Sequence, residues 1–131
     1  MPTMADNPGA SPVSLLHKLL LVDDEADGAE FVAALLRSHG MAVTVVHSAS
    51  EALRALEQEP DIDAVLSDIM MPGMTGLELA NAIRAMHPAV RIVLMSGYEI
   101  PEPLRDRERD YPFIEKPYKM DTLLAALRRA A

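Results

Sequence analysis

Five residues of this chain have types and places that could do chemistry together: Asp23, Asp24, Asp68, Ser96 and Lys116. Each stands just beyond or at the end of a short apolar run, in the stretches LVDDE (21 to 25), SDIMMPGMTG (67 to 76), LMSG (94 to 97) and EKPY (115 to 118). Singly they say little, because an acid after a strand is commonly a helix cap and an exposed lysine a solvated charge. As a set they point further. Three carboxylates crowded at one edge repel one another and need a cation. Oxygen ligands without His or Cys select a hard divalent ion, Mg²⁺ above all with Mn²⁺ as a substitute, which keeps several waters and accepts a phosphate oxygen. Lys116 adds a second positive charge and Ser96 a hydroxyl. That set suits an incoming phosphoryl group, whose oxygens need neutralising, and a carboxylate not consumed by metal binding can attack it as a nucleophile.

These residues meet only if the elements before them end at a common edge. From Lys18 onward two kinds of segment alternate. KLLLV (18 to 22), AVTVV (42 to 46), DAVLS (63 to 67), VRIVLM (90 to 95) and PFIE (112 to 115) are short and rich in Val, Ile and Leu, and are predicted to be strands. Residues 26 to 39 carry Ala29, Val32, Ala33 and Leu36 at helical spacing, and Gly40 supplies a left-handed stop. A second helix near 49 to 58 opens with Ser48 and Glu51 in capping-box spacing and puts Ala49, Ala52, Leu53 and Leu56 on one face. A third has Thr75 and Glu78 as its cap, Leu79, Ala82, Ile83 and Met86 as its stripe, and Pro88 as its stop. Asp121 is expected to cap the last helix, whose Leu123, Leu124 and Leu127 face the core. Between 97 and 111 the chain holds Pro101, Pro103, a string of charges and Leu104 nearly alone as an anchor, so a helix there is expected to be short or frayed.

Strands alternating with helices imply parallel pairing through right-handed crossovers, hence an α/β, doubly wound, flavodoxin-like sheet of five strands. The first, third and fourth are nearly continuous apolar runs, as central strands must be, apart from Arg91. The second alternates around Thr44 and the fifth is short and carries Glu115, which suits edges. The expected order is therefore 2-1-3-4-5, with a ligand crevice outside the carboxyl ends of strands one and three. All five reactive residues then share one edge.

Composition narrows the partners. The 131 residues, half of them apolar, suffice for one core. The net charge of -8 disfavours nucleic acid or an anionic membrane as a direct partner, and no apolar run reaches the roughly 18 residues of a membrane helix. The absence of cysteine removes disulfides, thiolate nucleophiles and sulfur metal sites, and agrees with a cytoplasmic protein. Residues 1 to 17 hold Pro2, Pro8 and Pro12 and neither a basic nor a long apolar stretch, so they are expected to be a disordered lead before a single domain over 18 to 131.

In this order and on these strands, the four stretches resemble the receiver domain of two-component response regulators, from Lys18 to the end of the chain, and they are specific as a set. The resemblance implies a phosphoacceptor rather than an enzyme with a separate substrate. It implies that a histidine kinase or histidine phosphotransfer protein gives a phosphoryl group to Asp68, and that a conformational change then reaches a downstream protein. By the same resemblance Asp24, Asp68 and the backbone carbonyl of Met70 bind Mg²⁺, and Asp23 holds it through water. Lys116 would pair with the phosphoryl group, Ser96 would hydrogen-bond to it, and Pro117 would follow a cis bond. Phe113 falls where the family keeps its switch aromatic, and the first helix is where histidine-bearing helices commonly dock.

Some positions depart from the commonest family residues. Ser96 stands where threonine is frequent, Phe113 where tyrosine is often seen, and Thr75 where Asp or Asn is usual, none of which removes the chemistry. Met70 and Tyr98 lie two residues beyond Asp68 and Ser96, and as bulky neighbours of the site they are expected to slow hydrolytic loss of the phosphoryl group. The proline-broken segment argues against dimerisation through that face, so the unphosphorylated chain is expected to be a monomer. The 15 residues after Lys116 make one helix, so output is expected through another protein, from a stand-alone receiver, a relay shuttle or the receiver of a hybrid kinase. A haloacid-dehalogenase-like phosphatase would need a second acid at position 70, which is Met, and a flavodoxin-like flavin protein a hydroxyl-rich loop where this chain has DDEAD. A binding module with a decayed pocket would have lost acids or the lysine, and all are present.

Overall fold

The computed structural model describes residues 18–96, 111–116 and 119–129. Its elements run β1 (Lys18–Val22), α1 (Ala26–Ser38), β2 (Ala42–Val46), α2 (Ala49–Gln58), β3 (Ala64–Asp68), α3 (Gly76–Met86), β4 (Arg91–Ser96), β5 (Phe113–Glu115) and α4 (Met120–Arg129). The five strands form one parallel sheet in the order β2-β1-β3-β4-β5, the order that strand composition implied. The cause is visible in burial. Every residue of β3 is buried and all but the first of β1 and β4, because helices cover both faces there, whereas β2 and β5 mix buried and exposed positions at the edges.

Successive strand residues point to opposite faces, so each central strand feeds two cores. Leu20, Val22, Val65, Ile92 and Leu94 pack with Ala52 and Leu56 of α2 and with Leu77, Leu79, Ala80 and Ile83 of α3. On the other face Leu19, Leu21, Leu66, Val93 and Met95 pack with Ala29, Ala33 and Leu36 of α1 and with Leu123, Ala126 and Leu127 of α4. Gly40 ends α1 with φ +89°, as its type suggested. Thr75 and Glu78 form a full reciprocal capping box on α3, with N–H to oxygen distances of 2.9 and 3.2 Å. At α2 the exchange is looser: Ser48 Oγ accepts from the Glu51 N–H, while the Glu51 carboxylate reaches back to the N–H of His47.

Four expectations need correction. β3 and β4 each run one residue later than their apolar stretches suggested, so Asp68 and Ser96 are the last strand residues. Asp63 lies just before β3, its N–H donating to the Lys18 carbonyl and its carbonyl accepting from the Arg91 N–H, both at 3.0 Å, while its carboxylate accepts from the Lys18 N–H at 3.3 Å. Met86 is 52% exposed, since α3 turns Leu77 and Ala80 inward beside Leu79 and Ile83 and its last turn lies past that stripe. Asp121 does not cap α4. The helix begins at Met120, the carbonyl of Lys119 accepts from the N–H groups of Thr122 and Leu123, and Asp121 stands inside the first turn, where its charge complements the helix dipole. Residues 1–17, 97–110, 117, 118, 130 and 131 fall outside the described residues, and with them the expected lead, the proline-broken segment, Tyr98 and Pro117.

Candidate functional site

The register of the sheet assembles the site. Val22 pairs with Ser67, so Asp23 and Asp68 emerge side by side from β1 and β3. Asp68 pairs with Met95 and Ser96 with Glu115, which steps Ser96 and then Lys116 along the same carboxyl edge. Asp23, Asp24 and Asp68 bring one carboxylate oxygen each within 4.8 Å of one another. Asp23 and Asp68 are buried, and Asp24 stands exposed at the rim.

Asp23 is tethered on every side. Its N–H donates to the Val46 carbonyl at 3.1 Å, its carbonyl accepts from Nδ1 of His47 at 2.9 Å, and its Oδ1 accepts from the Glu25 N–H at 2.9 Å. Lys116 Nζ lies 3.1 Å from Asp23 Oδ2 and 3.4 Å from Asp68 Oδ2, bridging the two buried acids. Asp68 Oδ1 faces the Met70 N–H at 3.4 Å. Ser96 is buried at the end of β4, and its carbonyl accepts from the Lys116 N–H at 2.7 Å. The lysine is thus fixed at both its backbone and its charge.

One ammonium does not balance this cluster. Burial pushes the Asp68 carboxyl above its ordinary pKa, the Asp23 charge pushes it the same way, and Lys116 offsets only part of the rise. Burial also pulls the Lys116 ammonium down, but Asp68 and Asp23 outweigh that and hold it above its ordinary value. A carboxyl that resists ionising beside a lysine that resists deprotonating marks a site short of positive charge. The donor set, three carboxylates at convergent positions with no nitrogen or sulfur among them, fits a hard divalent cation.

Phe113 is half-buried on β5 and packs against the α2–α3 core. Met70 is 41% exposed. Two contributors were not singled out from the sequence. The first is Gly76, the first residue of α3: its N–H donates to the Ile69 carbonyl at 2.8 Å, and a Cβ there would lie 2.2 Å from the Asp68 carbonyl oxygen. A glycine opening a helix that Thr75 already caps was the available signal. The second is His47, and a lone histidine after a strand carries no such signal.

Residues 19–128 match the Response regulator receiver domain. The chain belongs to that family. It is a phosphoacceptor signalling domain of two-component systems, and receivers of this kind work with histidine kinases and downstream effectors. The chain is 33% identical over 119 residues to a putative NtrX-like response regulator of Rickettsia bellii, covering 88% of this receiver and 25% of the relative. It therefore spans about a quarter of that relative's length. Among solved structures, the response regulator TrrA from Thermotoga maritima in complex with Mg(2+)-BeF matches with a TM-score of 0.76 and 26% identity, over 88% of this chain and 100% of that one. The receiver domain of the hybrid histidine kinase CckA matches with a TM-score of 0.71 and 29% identity, over 86% and 97%. Among the described residues, no helix of this receiver is long and apolar enough to cross a membrane.

Proposed function

We propose that Asp68 is the phosphoacceptor of this receiver, and that Asp23, Asp24, Lys116 and Ser96 serve the transfer. The observation that carries the reading is the convergence of three carboxylates within 4.8 Å, with Lys116 bridging the two buried ones. An Asp68 carboxylate oxygen attacks the phosphorus of a phosphohistidine on a partner. The phosphorus–nitrogen bond breaks, its electron pair stays on the imidazole, and that nitrogen takes a proton from solvent. Asp68 is left as a mixed anhydride of carboxylic and phosphoric acid.

Asp24, Asp68 and the carbonyl of Met70 would hold Mg²⁺, with Asp23 behind a water. When bound, the ion supplies positive charge to the phosphoryl oxygens. Lys116, freed from Asp68 as that carboxylate becomes an ester-like oxygen, turns its ammonium to the dianionic phosphoryl group. Ser96 ends the adjoining strand and donates its hydroxyl to the same group. Phe113, half-buried on the next strand, then changes its packing and passes the signal to a partner protein. Water attack on phosphorus later releases inorganic phosphate and restores the carboxylate.

Phe31, 67% exposed, and Leu35 lie one turn apart on α1, an apolar pair suited to receiving the histidine-bearing helices of a kinase or phosphotransfer protein. The downstream partner is a protein, with no direct contact to nucleic acid or membrane, and the receiver acts in the cytoplasm as a monomer until phosphorylated. The direct test incubates the chain with acetyl phosphate and Mg²⁺ and resolves the product on a phosphate-affinity gel. The native chain should shift and Asp68→Asn should not. Equal labelling of the two would overturn the assignment.

A further inference from the structure

β5 is an edge strand of three residues, bonded among the described residues to β4 alone. Its flanks add two bonds, from the Leu94 N–H to the Pro112 carbonyl at 2.9 Å and from the Lys116 N–H to the Ser96 carbonyl. A ladder this short fixes a strand weakly. Yet β5 delivers Lys116 to the two buried acids and carries Phe113, so its placement decides the geometry of the site.

The downstream end of the strand is held by charge, through Lys116. The upstream end is held by Tyr111, which is 4% exposed and sits in the α2–α3 core. Its hydroxyl donates to Asn81 Oδ1 of α3 at 2.6 Å, across 30 residues of sequence, and the Arg84 guanidinium lies over its ring at 4.3 Å. Tyr111 and Phe113 are two residues apart and both pack against that same core. Tyr111 precedes and Lys116 directly follows the three residues of β5, so a shift of this short strand moves both of its flanks.

We propose that Tyr111, Asn81 and Arg84 clamp the start of β5 to α3 and so set the position of Lys116, which makes Tyr111 a positioning residue for phosphoryl transfer. The inference rests on the reading of Asp68 and Lys116 given above, and adds to it that α3 is tied to the lysine through β5. By linkage, a change in the partners of Lys116 loads the clamp, and a contact that alters α3 beside Asn81 alters Lys116. Asp68 ends β3, and Asp23 and Asp24 lie in the β1–α1 turn, where Asp23 has bonds to Val46, His47 and Glu25, so the clamp acts on the position of the lysine rather than on that of the acids.

The test uses Tyr111→Phe, which keeps the ring and removes the hydroxyl, Asn81→Ala, and the two combined. At saturating Mg²⁺ each single variant should slow phosphorylation by acetyl phosphate about fivefold, the factor that one net hydrogen bond carries. The double variant should be no slower than either single, because both remove one contact. Amide exchange at Leu94 and Lys116, whose N–H groups bond across the β4–β5 edge, should quicken to a similar degree. Mg²⁺ affinity by calorimetry should not fall, because Lys116 shares Asp23 Oδ2 and Asp68 Oδ2 with any cation and its displacement leaves those oxygens freer. Unchanged exchange would overturn the clamp, as would single effects that multiply in the double variant, or Mg²⁺ affinity falling in step with the rate. Labelling that persists in Asp68→Asn would instead overturn the acceptor assignment, and the exchange measurement would still decide the clamp.

Discussion

Gly76 sits so close to Asp68 that a Cβ on it would lie 2.2 Å from the Asp68 carbonyl oxygen and 2.8 Å from the Ile69 Cα. Backbone cannot yield as a flexible side chain can, so either α3 or the end of β3 must move to admit a methyl group. Gly76→Ala is therefore expected to destabilise the chain at the upper end of the roughly 1–3 kcal/mol typical of overpacking, although alanine favours helix elsewhere. Urea denaturation measures the loss. Because the displaced atoms belong to Asp68, phosphorylation should fall in the fraction that remains folded. A stability equal to that of the native chain would show that the contact relaxes at no cost.

The raised pKa of Asp68 makes its charge a liability in the folded chain without a cation. The folded state holds its proton more tightly than the unfolded state, so stability declines as pH rises from the ordinary value of 3.8 through the raised folded value. Asp68→Asn removes that decline. The variant should melt higher than the native chain at neutral pH in a chelating buffer, and the gap should narrow as the pH falls toward 3.8, below which Asp68 is protonated in both states. Melting curves between pH 4 and 7 measure it, and a gap that widens toward acid would contradict the sign.

Lys116 competes with any cation for Asp23 Oδ2 and Asp68 Oδ2. Its removal should separate two properties that usually fall together. Lys116→Ala leaves three acids with no counter-charge, which destabilises the cation-free fold and raises Mg²⁺ affinity by roughly tenfold, about 1.4 kcal/mol. Phosphorylation should drop by about 10²-fold or more, since the group proposed to neutralise the transferring phosphoryl oxygens is gone. Calorimetry and the phosphorylation rate report the two effects separately. A loss of Mg²⁺ affinity would mean that the lysine chiefly holds the acids in place.

The sheet order and the shared edge were legible in the sequence because both depend on apolar pattern, which separates doubly covered strands such as β3 from edges such as β5. Asp23, Asp68, Ser96 and Lys116 were placed together by topology alone, and the register does bring them together. What the pattern missed depends on three-dimensional approach. Gly76 matters through an atom it lacks, and Tyr111 through Asn81 and Arg84 on a helix 30 residues away. Asp121 looked like a cap by type, but a cap must precede the helix, and the helix starts one residue earlier, at Met120, with the Lys119 carbonyl accepting from Thr122 and Leu123.

Met70 is expected to bear on how long the signal lasts. It follows Asp68 by two residues, its N–H faces Asp68 Oδ1, and the residue is 41% exposed, so its thioether is placed to border the solvent approach to the proposed acceptor. A thioether is a weak acceptor and no donor, and it does not hold a water against a phosphoryl group. An amide of similar reach does, and a held water needs less reorganisation before it attacks phosphorus. Met70→Asn is therefore expected to shorten the lifetime of the phosphorylated chain by about fivefold, the worth of one net hydrogen bond, while the rate of labelling by acetyl phosphate changes little. The decay of the shifted gel band after removal of the phosphodonor gives the lifetime. Met70→Leu serves as the comparison: it keeps an apolar side chain without sulfur and should decay at the native rate. Equal decay in all three chains would show that water reaches the phosphoryl group by a route that Met70 does not border.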